Sequence, residues 1–365
     1  MTNINDKSKY WKTLLLMSTY YMLPSLQFVM FQAHDNNVEC FYNFKCKHDF
    51  NSIPAFNNVI SNIFYVIFGF TFLLIVKFYR TPYNFDKSLY YSIGITLMLE
   101  GLCSSLYHTC PSQLNFQFDT SFMFIGTSLT FLTLYSKRHK NRIPSVFRFF
   151  AFLSCIILIN ILPLSGASNG NEIWFWLVID LFLAYTMLFG SIYVYYGKEY
   201  DLDIDSICEL YNKIRNIKYR ELPRFLLLLI INTFTLSMII YGSFENPEFT
   251  TWLLGLFIIN MVIYFNYYIV QKLIHKEYIN RNIWFCLAID IVILITALIY
   301  FEIPISDKYL TPEKSRELNH DCVLFNYWDY HDIWHIFSAM GLFLFMNIVF
   351  FIDSDIDFDD DYPVF

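Results

Sequence analysis

One stretch of the chain decides its fold class: residues 55–76 have the sequence AFNNVISNIFYVIFGFTFLLIV, which contains no charged side chain. A helix of about 20 predominantly apolar residues is long enough to cross a hydrocarbon layer about 30 Å thick. Inside lipid only helices and closed barrels satisfy their backbone hydrogen bonds, and this stretch lacks the alternation of a barrel strand. It therefore predicts a transmembrane helix.

Similar runs recur along the 365 residues, of which 56% are hydrophobic and 21% aromatic. This apolar surface exceeds what a water-soluble domain can bury, so it must face lipid. We predict an all-α polytopic membrane bundle of about ten transmembrane helices. The predicted spans are 12–33, 55–76, 88–108, 116–136, 144–164, 173–196, 225–242, 251–270, 283–303 and 330–352.

The positions of Lys and Arg predict how this bundle is oriented, because cytoplasmic loops retain basic side chains. All but five of the 25 Lys and Arg fall on one side, together with both termini. The five on the other side are Lys45, Lys47, Lys308, Lys314 and Arg316. We therefore predict a cytoplasmic N-terminus at 1–11, a transmembrane domain at 12–352 and an acidic, solvated cytoplasmic tail at 353–365.

The eight cysteines divide between the two predicted sides. Those in predicted outer loops are Cys40, Cys46, Cys110 and Cys322. An even outer set favours two disulfides in an oxidising compartment, with free or metal-bound thiols as the alternative. Four cysteines allow three pairings, and the spacing does not choose among them.

Candidate reactive side chains cluster at the predicted outer ends of three spans. Ser104 and His108 lie four residues apart on the third span and therefore share one helical face. Asp119 lies in the first turn of the fourth span, after a turn so short that these two helices must be antiparallel neighbours. His331 and His335 have the same four-residue spacing at the outer start of the last span. All five side chains are therefore expected at one depth.

Three imidazoles with an open fourth position are the ligand set of a catalytic zinc site. We therefore predict a zinc cofactor held by His108, His331 and His335. Asp119 is expected as a further ligand or as the general base that takes a proton from water, and Ser104 as a donor to the oxyanion or the substrate carbonyl. Isolated histidine pairs at a membrane surface often only fill the headgroup zone, but the Ser and Asp on the neighbouring hairpin favour the zinc site.

Two further polar features lie inside predicted spans. Glu100, two turns from His108, either lines the same cavity or hydrogen-bonds a neighbouring helix, and we favour the second interpretation. A polar face on the second span is equally consistent with interhelical hydrogen bonds and with the wall of a pocket. It consists of Asn57, Asn58, Ser61 and Asn62.

Ordered motifs along nearly the whole chain resemble the SID transmembrane family, named for systemic RNA interference defects. The matching segments are EGLCSSLYHTCPSQLNFQFDTSFMF at 100–124, CFYNFKC at 40–46, AFNNVISNIFYV at 55–66, WDYHDIWHIFSAMGLF at 328–343 and FIDSDIDFDDDYPVF at 351–365. The family in turn resembles alkaline ceramidases and related membrane hydrolases in a constellation of one Ser, three His and one Asp. Here that constellation falls on the five residues of the predicted zinc site.

The resemblance implies two kinds of function. Transport of double-stranded RNA, or handling of sterol or another lipid, is expected from the family, and a zinc-dependent lipid amidase or esterase is the alternative. Whether the protein is an enzyme stays open. Sterol or sphingolipid is the expected lipid partner, and the plasma membrane or an endolysosomal membrane is the expected location.

Two features of the sequence limit what the resemblance implies. Family members usually carry a large extracellular β-rich domain, whereas about eleven residues precede the first predicted span, so we expect this chain to lack that domain. The predicted outer loops hold about twelve Asp and Glu against five basic residues, and RNA binding ordinarily needs clustered positive charge. We therefore do not expect a strong outer RNA site.

Overall fold

The computed structural model of the protein describes residues 9–35, 38–80, 87–139, 143–164, 172–196, 212, 215 and 222–354. Its helices are α1 (Lys9–His34), α2 (Phe56–Ser61), α3 (Ile63–Phe78), α4 (Ser88–Thr109), α5 (Phe116–Arg138), α6 (Val146–Leu164), α7 (Glu172–Tyr196), α8 (Leu222–Glu245), α9 (Phe249–Ile274), α10 (Arg281–Phe301), α11 (Pro312–Glu317) and α12 (Tyr330–Phe351). Within these ranges β structure is limited to two isolated bridges.

The prediction of an all-α membrane bundle is confirmed, since every predicted span coincides with a helix in the described ranges. Seven helices there are long and apolar enough to cross a membrane: α1, α2 with α3, α4, α8, α9, α10 and α12. The other three predicted spans correspond to α5, α6 and α7, of which α5 buries many hydroxyl side chains, such as Thr120, Ser121 and Thr133, that lower its apolarity. The number of crossings and the sides of the termini stay predictions.

Two local features differ from the predicted spans. The second span is broken at Asn62, where α2 ends and α3 begins, and the Asn62 side-chain amide donates to the Asn58 carbonyl oxygen at 3.0 Å. The predicted outer loop 304–329 contains the short helix α11. The break matters for the site below, because α2 contacts both α4 and α12.

The buried helix α4 packs against α1, α2, α3 and α5 and so forms the centre of the bundle. Two glycines permit this contact. A Cβ on Gly69 of α3 would lie 2.8 Å from the Gly94 carbonyl oxygen of α4, and a Cβ on Gly101 would lie 2.7 Å from the Asn62 carbonyl oxygen. Small residues let transmembrane backbones approach closely in this way. Helix α4 is therefore held tightly against α2 and α3 along both of its halves.

Two disulfides join the outer loops, as predicted. Cys40 pairs with Cys110, and Cys46 pairs with Cys322. The segment 40–46 is thereby bonded both to the end of α4 and to the loop before α12. His48 lies close to Cys46 and Cys322, but the disulfide uses both sulfur atoms. The alternative of metal-bound thiols at these four cysteines is therefore excluded.

The opposite end of the bundle is joined by buried charges, which we call the inner ionic cluster: Lys137, Arg138, Lys272, Glu277 and Asp353. Asp353 accepts hydrogen bonds from Lys272 at 2.8 Å and Arg138 at 3.0 Å, and lies 3.2 Å from Lys137. Burial alone would raise the pKa of the Asp353 carboxyl, but these cations outweigh it and hold that pKa below its ordinary value. The prediction of a solvated tail from 353 onward is therefore wrong for Asp353, and residues 355–365 lie outside the described ranges.

Replacing Asp353 with Asn tests the cluster. The change leaves three buried cations with Glu277 as their remaining carboxylate, and breaking a buried ion pair costs about 3–5 kcal/mol. We expect a clearly lower midpoint of thermal unfolding in detergent, whereas the exposed outer-loop variant Asp321→Asn should unfold like the unmodified chain. An unchanged midpoint for Asp353→Asn would show that these charges do not hold α5, α9 and α12 together.

Candidate metal centre

Three helices bring the five predicted site residues together at the end of the bundle that carries the disulfides. Ser104 and His108 come from the outer half of α4, and Asp119 comes from the first turn of α5. His331 and His335 come from the first two turns of α12. Four of the five are buried, and His331 is half-buried.

The histidines form a compact group. Their potential ligand nitrogens all lie within 4.8 Å of one another, and the ring centroids are 4.6–5.0 Å apart. In the described part of the chain, the Nε2 atoms of His108, His331 and His335 are buried without a hydrogen-bond partner. An unpartnered buried polar atom costs about 1–3 kcal/mol. Three such nitrogens converging on one point fit a metal ion, and imidazole nitrogen is a ligand that zinc accepts.

One hydrogen bond sets the orientation of the His335 ring. Ser61 donates its only proton to the Asn58 carbonyl oxygen at 2.8 Å, and its Oγ lies 2.8 Å from Nδ1 of His335. The serine oxygen therefore accepts from an Nδ1–H group. A neutral imidazole protonated at Nδ1 presents an unprotonated Nε2, which is the form that binds a metal.

The start of α12 is fixed by four polar side chains. The Asn57 amide donates to Asp332 at 3.0 Å, and the Asn58 amide donates to Asp332 at 3.0 Å and to Asp329 at 3.1 Å. Asp329 and Asp332 also form a capping box, in which each side chain accepts from the other's backbone N–H. The polar face on the second span was equally consistent with interhelical hydrogen bonds and with a pocket wall. For Asn57 and Asn58 the structure shows interhelical hydrogen bonds.

Sequence reasoning missed the two aspartates, although a signal was present. Asp329 and Asp332 precede the apolar run of α12 with the three-residue spacing of a capping box. The consecutive Asn57 and Asn58 on the second span are possible partners for these two aspartates. Taken together, the four residues indicate a buried contact between the second span and the helix that carries His331.

Asp119 lies beside the histidine group and not within it. Ser104 donates a short hydrogen bond to the Asp119 carboxylate, whose Oδ1 lies 4.0 Å from Nε2 of His108. At this distance the carboxylate lies beside the His108 ring but forms no hydrogen bond to it. The arrangement suits a proton acceptor better than a ligand.

Glu100 differs from expectation. The carboxylate is buried in α4, and within the described residues neither of its oxygens has a hydrogen-bond partner. The predicted bond to a neighbouring helix is therefore wrong, and the alternative interpretation, that Glu100 lines the cavity below His108, stays a prediction.

Lys308 is a further charged residue near the site. Its place in the predicted outer loop 304–329 gave no sign that it would lie there. The loop between α10 and α11 places its Nζ 3.3 Å from the ring centroid of Phe116, the first residue of α5. Burial lowers the pKa of Lys308, although Glu248, Asp119 and Asp307 oppose that shift. The ammonium group is thus held in a desolvated position over the end of α5 that carries Asp119.

Fold and site together define a multi-pass α-helical membrane protein with a compact three-histidine group at its disulfide-bonded end. The family model described as "dsRNA-gated channel SID-1" matches residues 2–361. The chain therefore belongs to the SID1 transmembrane family.

Several curated relatives agree with this assignment. "SID1 transmembrane family member 1" is 32% identical over 391 residues in both Homo sapiens and Rattus norvegicus, covering 98% of this chain and 46% and 47% of those proteins. "Cholesterol uptake protein 1" of Caenorhabditis elegans is 31% identical over 383 residues, covering 96% of this chain and 50% of that protein. The chain thus spans about half the length of the curated relatives that it matches.

The hydrogen bond from His335 to Ser61 predicts an effect on metal affinity. Ser61→Ala removes the acceptor that orients His335, and loss of such a partner typically weakens metal binding 10–100-fold. We expect zinc titration against a chromophoric chelator to find a single ion per chain and a weakening of that size in Ser61→Ala. The matched control is Ser105→Ala, since the hydrogen bonds described for the Ser105 hydroxyl go to the Val59 and Gly101 carbonyl oxygens and not to a histidine. Equal affinities in both variants would contradict the assigned role of Ser61.

Proposed function

We propose that this chain hydrolyses an amide or ester bond of a membrane lipid at the three-histidine site. The observation that carries the proposal is the convergence of three unpartnered Nε2 atoms beside the hydrogen-bonded pair of Ser104 and Asp119. Zinc held by the three histidines would supply Lewis-acid chemistry that polarises the scissile carbonyl.

The side chains of the site divide the remaining work. Asp119, next to the histidines, would accept the proton from the water that attacks the carbonyl carbon, and would pass it to the amine or alcohol that leaves as the C–N or C–O bond breaks. Ser104 has one hydroxyl proton and donates it to Asp119. This bond supports a positioning role, in which Ser104 aims the carboxylate at the water, over the predicted role as oxyanion donor.

The position of the site supports a lipid as substrate. The histidines lie at the disulfide-bonded end of the bundle, and His331 is the least buried of them. If this end is the outer one, as the loop charges predict, the site lies near the depth where a lipid headgroup meets its acyl chains. Sphingolipids and phospholipids both carry a carbonyl at that depth. The disulfides at the same end support a site facing an oxidising space, outside the plasma membrane or inside an endolysosome.

Purified protein tests the proposed chemistry. We expect the full chain in detergent to release fatty acid from one of a panel of sphingolipids and phospholipids, measured by mass spectrometry. Both Asp119→Asn and the double variant His331→Ala, His335→Ala should lose at least about 100-fold in rate. The exposed His34→Ala, on α1, is the matched control and should keep full activity.

Two results would overturn this proposal. Hydrolysis that survives the double histidine change would refute the zinc mechanism. If metal removal lowers the unfolding midpoint while no lipid is hydrolysed, the histidines hold a structural ion that ties α4 and α12 together.

Transport of double-stranded RNA or of sterol is a second candidate function. It is supported by the description of the matching family model and by the name of the Caenorhabditis elegans relative. The acidic excess in the predicted outer loops argues against a strong outer RNA site, and so favours sterol over RNA as cargo.

Uptake in cells separates this candidate from hydrolysis. Cells that produce the chain, and matched cells from which its gene is deleted, receive labelled double-stranded RNA or labelled cholesterol. If the chain transports one of these cargoes, uptake of that cargo falls to background in the cells without the gene. The same uptake persists in cells that produce Asp119→Asn, which lacks the proposed proton acceptor. Uptake that is the same with and without the gene excludes transport of that cargo.

A further inference from the structure

The two disulfides have different surroundings. Cys110 is buried and packs with Cys40 against the hydrophobic core. The bond between Cys46 and Cys322 instead has an imidazole beside it, since Nε2 of His48 lies 3.5 Å from Cys322 Sγ. The potential ligand atoms of these three residues all lie within 4.8 Å of one another, and among the described residues Cys40 and Cys110 belong to no such group.

The His48 ring is held in place from two directions. Its face stacks on the ring of Tyr327, with the centroids 4.9 Å apart and the planes inclined by 21°. The backbone N–H of His48 donates to Asn57 Oδ1 at 3.0 Å. Imidazole is the side chain best suited to accept and to release a proton near neutral pH. A proton carrier is thus fixed beside both sulfur atoms of one disulfide.

The two cysteines of this bond differ in exposure. Cys46 is only 1% exposed, whereas Cys322 is half-buried. In thiol–disulfide exchange a thiolate attacks one sulfur of the disulfide and the other sulfur leaves, so access decides which sulfur is attacked. An incoming thiol therefore reaches Cys322, and Cys46 is the sulfur that leaves.

We propose that Cys322 is a modification site for a low-molecular-weight thiol, with His48 as the proton carrier. Nε2 of His48 takes the proton of the thiol, and the thiolate formed attacks Cys322 Sγ. A new sulfur–sulfur bond to Cys322 forms while the bond to Cys46 breaks. The Cys46 sulfur leaves with the electron pair and takes the proton from His48. The products are a mixed disulfide on Cys322 and a thiol on Cys46, and the site is independent of the proposed hydrolysis.

The segment 40–46 keeps other bonds when this disulfide opens. The Asn57 amide donates to the Cys46 carbonyl oxygen at 3.0 Å, and the Asn43 amide donates to Asp329 at 3.2 Å. The second disulfide still joins the segment to the end of α4. The exchange can therefore take place in the folded chain, without release of the outer loops.

Reduced glutathione is the probe for this reaction. The purified full chain in detergent is incubated with it, the free thiols are blocked by alkylation, and the peptides are identified by mass spectrometry. We expect glutathione to be found on Cys322 and an alkyl group on Cys46. The bond between them should open at least about tenfold faster than the bond between Cys40 and Cys110, which has no adjacent imidazole in the described residues.

A pair of variants tests the role of the imidazole. His48→Phe keeps a ring that can stack on Tyr327 but cannot carry a proton, so opening should slow at least about tenfold. The matched control is His320→Phe. His320 lies two residues from Cys322, but its ring packs edge-on against Tyr330 at 5.6 Å, so this variant should react like the unmodified chain. Thermal unfolding of each variant shows whether it is folded, and His48→Gln repeats the test if His48→Phe unfolds early.

Three results would contradict the proposal. If both disulfides of the unmodified chain open at the same rate, or neither opens while the chain is folded, Cys322 is not a site of exchange. Glutathione found on Cys46 would refute the assignment of the attacked sulfur. An unchanged rate of opening in a folded His48→Phe would refute proton transfer by His48.

Discussion

A buried polar group in a lipid bilayer has no water to bond, so its partners must come from the protein itself. The outer end of this bundle depends on one such set of bonds, in which the amides of Asn57 and Asn58 meet the carboxylates of Asp329 and Asp332. Without these amides, the two carboxylates at the start of α12 would still be buried, but they would have lost most of the side-chain groups that donate hydrogen bonds to them. With them, α2 is held against the start of α12, and a serine of α2 comes within reach of a histidine of α12. The arrangement of the three histidines therefore rests on bonds made outside their own group.

The helices and the convergence of the five candidate site residues could be predicted from the sequence, because both follow from periodic patterns: apolar runs long enough to span lipid, and four-residue spacing on helices whose ends face one side. Other features depend on where loops travel in three dimensions. The apolar run continues through Asn62, so nothing in it marks the break that separates α2 from α3. Spacing left the three cysteine pairings equal, and Lys308 lies on a loop whose path over α5 has no periodic signal. In the sequence Asp353 resembles the rest of an acidic tail. Its cationic partners, among them Lys137 and Lys272, come close to it only because α5 and α9 pack near the end of α12.

The bundle treats its buried polar groups in two ways. In the inner ionic cluster the charged groups lie within ion-pair distance of one another, as expected for charges that serve cohesion. At the three histidines, and at Asn260 and Tyr264, donors or acceptors are left unpartnered within the described residues. Native proteins carry few such atoms, and each calls for an explanation. Others, such as the carboxylate oxygens of Glu100, lie outside both places, but at the histidines three potential metal ligands lie within 4.8 Å of one another, and a bound ion would supply the partner that they lack.

The two disulfides have a mechanical consequence. Both leave from the segment 40–46, one to the end of α4 and the other to the loop before α12. Seven residues extend at most about 25 Å, so this covalent bracket limits how far the outer ends of those two helices can swing apart. Rocking of the bundle about its middle, the motion by which many transporters expose a central path, would have to pivot near the bracket and widen the opposite end. The disulfide-bonded end would then act as the hinge, and the distances between helices would change most at the opposite end.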